Sequence, residues 1–395
     1  MNTTKKLLML TAITGLFISC SSDDDSSSGG GDGDGQANGI ITSLEDPDYN
    51  PGALKGKIQG DIALSAGTYI LDGPLVVKEG YTLTIEPGAV FKARPGGTDV
   101  YLAVEQGAKI DAEGTASQPI EFTSNASNPA PGDWGGVLVC GYAPISGGGE
   151  AITEVVNFIY GGTNANDNSG TLSYIKINYS GAVINAEKEF NGLTLYGVGK
   201  GTTINNIAIY NGNDDSIEFF GGTVDVTNLL AVNAKDDLID WTQGYKGTIS
   251  NAYAIREPGF SLLSSDPRGI EADGNLDGNY PSQSGQSNPT VTKLTIVNNF
   301  TGAALSDVIK LRRGTGAAIT NTLIKWGNGV PVIDLVDCTD SAGDAAAGTA
   351  VTLTATSNIA GGAVKPGVNN ATINVTTGST GGADVSQLSW TGYNF

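Results

Sequence analysis

Residues 206–244 carry one pattern twice. Asn206-Ile-Ala-Ile-Tyr-Asn-Gly-Asn-Asp-Asp-Ser-Ile-Glu-Phe-Phe-Gly-Gly222 is followed by Asn228-Leu-Leu-Ala-Val-Asn-Ala-Lys-Asp-Asp-Leu-Ile-Asp-Trp-Thr-Gln-Gly244, a shift of 22 residues at every matching position. A fixed period in the low twenties, made of short apolar runs without helical spacing, is the signature of a solenoid. Within each unit Ile, Val, Phe and Trp alternate with polar residues, and Gly or Asn-Gly marks the corners, as half-buried strands require.

The period predicts an all-β chain folded as a right-handed parallel β-helix, one coil per repeat. Equivalent positions of successive coils then stack about 4.8 Å apart in files, apolar inside and open to function outside. Long Gly/Asn-rich or polar interruptions at 147–168 and 256–290 predict loops standing on one face, where binding is expected. The domain reading is a signal at 1–20, a tether at 21–39 and the solenoid from 40 to 395, with its regular strands starting at Thr68 and a cap ending at Trp390.

Charge and missing residues exclude several functions. The 395 residues hold 21 basic and 41 acidic side chains, a net charge of −20. Such a surface repels nucleic acid and anionic membrane. The chain has no histidine, which removes Ser-His-Asp and Cys-His nucleophile systems and every His-ligated metal site. Cys140 and Cys338, set many coils apart, are expected to be separate buried thiols; a bridge would need the tail to fold back.

At the N-terminus Lys5-Lys6 precedes an apolar run from Leu7 to Ile18, then Ser19-Cys20, a secretory signal too short to span a bilayer once mature. Phe17-Ile-Ser-Cys20 resembles a bacterial lipobox, which implies lipidation of Cys20; an ordinary secretory signal is the alternative. Residues 21–39, almost all Ser, Asp and Gly, form a flexible linker. Ser22-Asp-Asp-Asp25 resembles the surface-export signal of Bacteroidota lipoproteins, the other reading being a solvated acidic linker.

The order Tyr81-Thr-Leu-Thr-Ile-Glu-Pro-Gly88, Gly107-Ala-Lys-Ile-Asp-Ala-Glu-Gly-Thr115, Pro119-Ile-Glu-Phe-Thr-Ser124 and Gly132-Asp-Trp-Gly-Gly136 resembles the opening coils of the pectate-lyase-like superfamily. The whole chain is similar to β-helix lipoproteins of Bacteroidota, some labelled "multidrug transporter", a label that no apolar run after Cys20 is long enough to support. The resemblance implies an outer-membrane, surface-exposed protein held by its N-terminal lipid, with polysaccharide or TonB-dependent uptake proteins as partners. It says little about activity, because the fold hosts lyases, hydrolases, adhesins and binders.

Aligning the coils on the inward Ile puts Asn185, Glu218, Asp240, Glu271, Lys310 and Asp334 in one outward file. Asp214-Asp215 and Asp236-Asp237 stack at the preceding corner, and Asp273 is expected to join them. Carboxylates about 5 Å apart repel by about 1 kcal/mol per pair at high dielectric, and by more when shielded from water. A cation, a basic neighbour or raised pKa values must offset this. Three readings stay open. The corner acids cap backbone N–H groups while the outward acids are solvated; or Asp214, Asp215, Glu218, Asp236, Asp237 and Asp240 hold Ca2+; or an acid pair is catalytic.

The doublet resembles that of polygalacturonase-type hydrolases, but the His-Gly and Arg-x-Lys elements of that family are absent, so no catalytic role is carried over. Arg256, Arg268 and Arg312 are conceivable bases for a lyase. Glu271, Asp273, Arg256, Arg268, Lys310 and Trp326 are the candidate ligand-binding residues. Trp326 and Tyr210 suit sugar stacking if they face solvent; Trp241 should point inward. The expectation is a lipid-anchored surface protein that binds glycan or nutrient, or adheres; the alternative is a calcium-dependent polysaccharide lyase.

Overall fold

The computed structural model describes residues 39–185, 188–260, 264–302 and 304–395, so Cys20, the signal and almost all of the tether lie outside it. The chain forms a right-handed parallel β-helix, as the period predicts. One wall stacks the short strands Leu102–Val104, Val137–Cys140, Leu193–Tyr196, Ile217–Phe220, Ile239–Thr242, Ile270–Ala272, Asp307–Lys310, Asp334–Asp337 and Val364–Lys365. Longer strands, from Gly170–Asn178 through Thr203–Tyr210, Val226–Val232, Thr248–Arg256, Thr290–Asn298 and Ala318–Trp326 to Ala350–Ala355 and Thr372–Thr377, form the rest.

Each long strand is bent and so serves two walls. Residues 170–173 pair with Lys109–Glu113 while residues 175–177 pair with Ile120–Ser124, and Tyr174 between them has φ 53. Asn206, Asn228 and Asn251 take the same bend at φ 54, 59 and 57. Asn is among the few residues that tolerate this left-handed region. Their amides also form a ladder: Asn228 Nδ2 donates to Asn206 Oδ1 (3.1 Å), and Asn251 Nδ2 to Asn228 Oδ1 (2.7 Å). The repeated Asn of the sequence is therefore a corner.

Inward positions fill the bore with Ile, Leu and Val, and near the N-terminal end Tyr69, Phe91, Phe122 and Trp134 stack from coil to coil. Trp241 points inward. Cys140 and Cys338 are separate, buried thiols.

Three expectations are corrected. Pairing begins before Thr68, because Ile40–Ile41 lies on Leu54–Ile58, which lies on Thr68–Val77. The segment around Asn185 is not a coil strand; Val183–Asn185 forms an exposed antiparallel hairpin with Lys188–Glu189. A second hairpin, Ala151–Ile152 with Ile159–Tyr160, occupies the first predicted loop. Finally, the C-terminus does not cap the end of the stack. After Thr372–Thr377 the chain runs back as a strap across the outside of the long strands. Gly382, Ala383 and Asp384 N–H groups donate to Asn321 Oδ1 (3.3 Å), Thr295 Oγ1 (2.9 Å) and Asn251 Oδ1 (2.6 Å). Leu388 then sinks onto the outward apolar file of Ala208 and Leu230, and Lys176 donates to the Thr391 carbonyl (3.0 Å). An apolar outer face must be covered by something, and here the chain's own tail covers it.

Candidate functional site

On the short-strand wall one file runs Val76, Ala103, Leu138, Thr194, Glu218, Asp240, Glu271. Ile270 pairs with Ile309, which sets Lys310 next, and Asp337 and Lys365 follow. Thr194, not Asn185, therefore precedes Glu218. Asp334 pairs with Asp307 three residues earlier on its strand, so Asp337, not Asp334, follows Lys310. Counting from inward Ile misplaced both, because each lies beside an irregular connection of unequal length.

The doublets stack as expected. Three trios each bring carboxylate oxygens within 4.8 Å of one another: Asp214, Asp215, Asp236; Asp215, Glu218, Asp240; and Asp237, Asp240, Glu271. One part of this arrangement is backbone capping. The Asp215 N–H donates to Asn191 Oδ1 (3.2 Å), the Asp237 N–H to Asp215 Oδ1 (2.7 Å), and the Arg268 N–H to Asp237 Oδ1. Asp215 and Asp237 thus each satisfy an amide of the next coil. The other part is not solvated, as the capping reading had supposed. Asp215 and Asp237 are 6% and 2% exposed, and Glu218 and Asp240 are half-buried. Asn191 Nδ2 donates to Glu218 (2.6 Å), but Oδ1 of Asp240 is shut off from solvent and meets no donor among the described residues.

Asp273 does not join the doublets. It sits beyond the other end of the strand, paired with Arg312 Nε and Arg313 Nη1, both at 2.8 Å. The basic candidates are likewise occupied. Arg256, 1% exposed, donates to the carbonyls of Ala234 (3.1 Å), Arg268 (2.7 Å) and Asp236. Arg268 pairs with Glu271, Asp266 (3.0 Å) and Asp307 (3.4 Å). Arg312 also meets Glu271 (2.7 Å). Lys310 meets Asp337 (2.9 Å), which Lys365 shares at 3.1 Å. The wall therefore divides. From Glu271 onward acids and bases alternate, whereas among the described residues no ion pair reaches Asp214, Asp215, Glu218 or Asp240.

Burial, then mutual repulsion, pushes the carboxyls of Asp214, Asp215, Glu218, Asp237 and Asp240 well above the usual range. Glu271, buried but clamped by Arg312 and Arg268, rises only to about 7. Two acids were not singled out in the sequence. Glu154, between the strands of the first hairpin, is pushed up to about 8 by burial and by Glu189 and Asp277. Glu189, in the second hairpin, is raised by burial and by Asp236. Both hairpins thus bring a carboxyl of their own to the ladder. Only the position of the 147–168 loop pointed to Glu154; its spacing gives no signal.

Trp326 is buried, 6% exposed, with Nε1 donating to the Pro331 carbonyl (3.0 Å), so it offers no free stacking face on the acidic wall. Tyr210 is half-buried beside the strap. No helix among the described residues is long and apolar enough to cross a membrane.

The family model for the pectate-lyase-like β-helix domain matches residues 56–394. No match was found among curated proteins or among solved structures. With coil stacking, file and family model in agreement over nearly the whole solenoid, the chain belongs to the pectate-lyase-like β-helix family.

Proposed function

We propose that the protein is a non-catalytic binding module: a lipid-anchored protein of the outer membrane, facing outward, that captures glycan or another nutrient on a rigid rod braced by calcium. The observation that supports the non-catalytic reading is the state of the bases. A lyase needs a basic side chain free to take a proton from the substrate. Arg256 has its guanidinium turned to backbone carbonyls, and although burial brings it down to about 10 it remains charged at neutral pH. Burial works against the charge of Arg268 and Arg312 too, but the carboxylates around them outweigh it and raise both. A base held by two or three acids is a brace.

Calcium fits the other half of the wall. The trios Asp214, Asp215, Asp236 and Asp215, Glu218, Asp240 offer only oxygen, as a hard cation prefers, and Asp240 Oδ1 has no competing donor, whereas the third includes Glu271, already held by Arg268 and Arg312. A fourth trio, Asp307, Asp334 and Asp337, is already neutralised by Lys310 and Lys365 and suits a cation poorly. The resemblance of residues 17–25 to lipidation and export signals supports the address, and polysaccharide and TonB-dependent uptake proteins are the partners it implies. The test is a glycan-array screen of the purified protein with calcium, run beside an absorbance assay for unsaturated uronates. Binding without product is expected. Release of unsaturated product would establish the lyase reading, and neither binding nor product would remove the glycan.

A further inference from the structure

Where the strap arrives on the long strands, and where its aromatic end turns back, they border an open cavity of about 520 Å³. Its floor is an outward file of the sheet. Ile255 pairs with Val297, and Val297 with Lys325, so two aliphatic side chains are followed by an ammonium group. Tyr253, Tyr393 and Phe395 form an aromatic side, with ring centroids 5.0 Å apart for Tyr253 and Phe395 and 5.2 Å for Tyr393 and Phe395. Lys325 Nζ stands 5.9 Å from the Tyr253 ring centre and makes no ion pair among the described residues. The one side-chain carboxylate in the lining, Glu257, already receives Tyr393 Oη (2.8 Å) and Asn233 Nδ2 (2.9 Å).

We propose that this cavity binds a ring-sized monocarboxylate, with the ring laid on Ile255 and Val297 against the aromatic side and the carboxylate on Lys325. The inference rests on the binding reading above and places a ligand site away from the acidic wall. The volume suits a one- or two-ring ligand. An apolar floor favours the ring, and a lysine without an ion-pair partner among the described residues, on a chain of charge −20, favours one negative charge over several. Two sources share this chemistry, a pyranose bearing a carboxylate and an arene bearing one.

The test titrates the full protein with methyl β-glucuronate and with phenylacetate, each against its neutral amide, by calorimetry and saturation-transfer NMR. The expected result is that one acid binds at least about tenfold more tightly than its amide, the difference a charge-assisted hydrogen bond makes. In Lys325→Met, at an exposed position, acid and amide should bind equally at an unchanged melting temperature. The acid that binds more tightly names the source. Failure of both acids to bind, or an acid preference surviving in Lys325→Met, overturns the proposal. Array binding that Lys325→Met leaves untouched would keep the binding reading and remove this site alone.

Discussion

Asp240 shows how the same residue type takes on different work along one file. Glu271, one coil on, is held by two guanidinium groups, while Asp240 Oδ1 lies covered and meets no donor. Leaving such a group unsatisfied costs about 1–3 kcal/mol, and ionising it costs more. Asp240→Asn removes the ionisable group at nearly constant volume. In chelator at pH 8 this variant should melt higher than the wild type, by about 2–4 °C for each kcal/mol relieved. In millimolar calcium the order should reverse, since only the wild type gains from the ion. Differential scanning fluorimetry in the two buffers reads both; a variant that melts lower in chelator would show that Asp240 has an unseen partner. The sequence revealed the stacking of Asp240 on Glu218 because 22 residues separate them, and the stacking of Glu271 because Ile270 keeps the inward place. It could not reveal that Arg256 faces carbonyls or that Trp326 is covered, since the first depends on where neighbouring coils' carbonyls come to lie and the second on how the following loop folds its Pro331 carbonyl onto the indole.

At the scale of elements, two hairpins, Ala151–Ile152 with Ile159–Tyr160 and Val183–Asn185 with Lys188–Glu189, belong to the acidic wall. Glu154 and Glu189 ride on these segments, and burial raises both. A carboxyl whose pKa is higher folded than unfolded contributes stability below its unfolded value and loses it as pH climbs through the folded one. Glu271 near 7 and Glu154 near 8 place part of that loss in the neutral range. In chelator the melting temperature should therefore fall between pH 5.5 and 8.5, by about 5 °C or more for a few kcal/mol, and calcium should flatten the profile. A melting temperature that rises over this range would contradict the assignment. The corner ladder was legible because Asn206 and Asn228 recur in register. The hairpins and the strap were not, because neither repeats: the strap is held by scattered contacts such as Asp384 to Asn251 and Leu388 to Leu230, which no period announces.

For the whole molecule, a β-helix adds coils by stacking like on like, so one acidic position is multiplied into a column unless neighbours are changed. The chain deals with this in two ways. Toward the C-terminal end it interleaves Arg268, Lys310, Arg312 and Lys365, and in the middle it leaves oxygen facing oxygen at 214, 215, 218, 236, 237 and 240. In the proposed reading, the first half of that arrangement occupies the candidate bases and the second offers its oxygens to a hard cation. The most direct measurement is calorimetric titration of calcium into the chelated protein at pH 7.5, repeated in buffers of different ionisation enthalpy. The account predicts saturable binding with release of protons, because burial raises the pKa of these carboxyls and the ion binds their ionised form, together with a higher melting temperature. Titration without heat or proton release, and with no shift in melting, would contradict it.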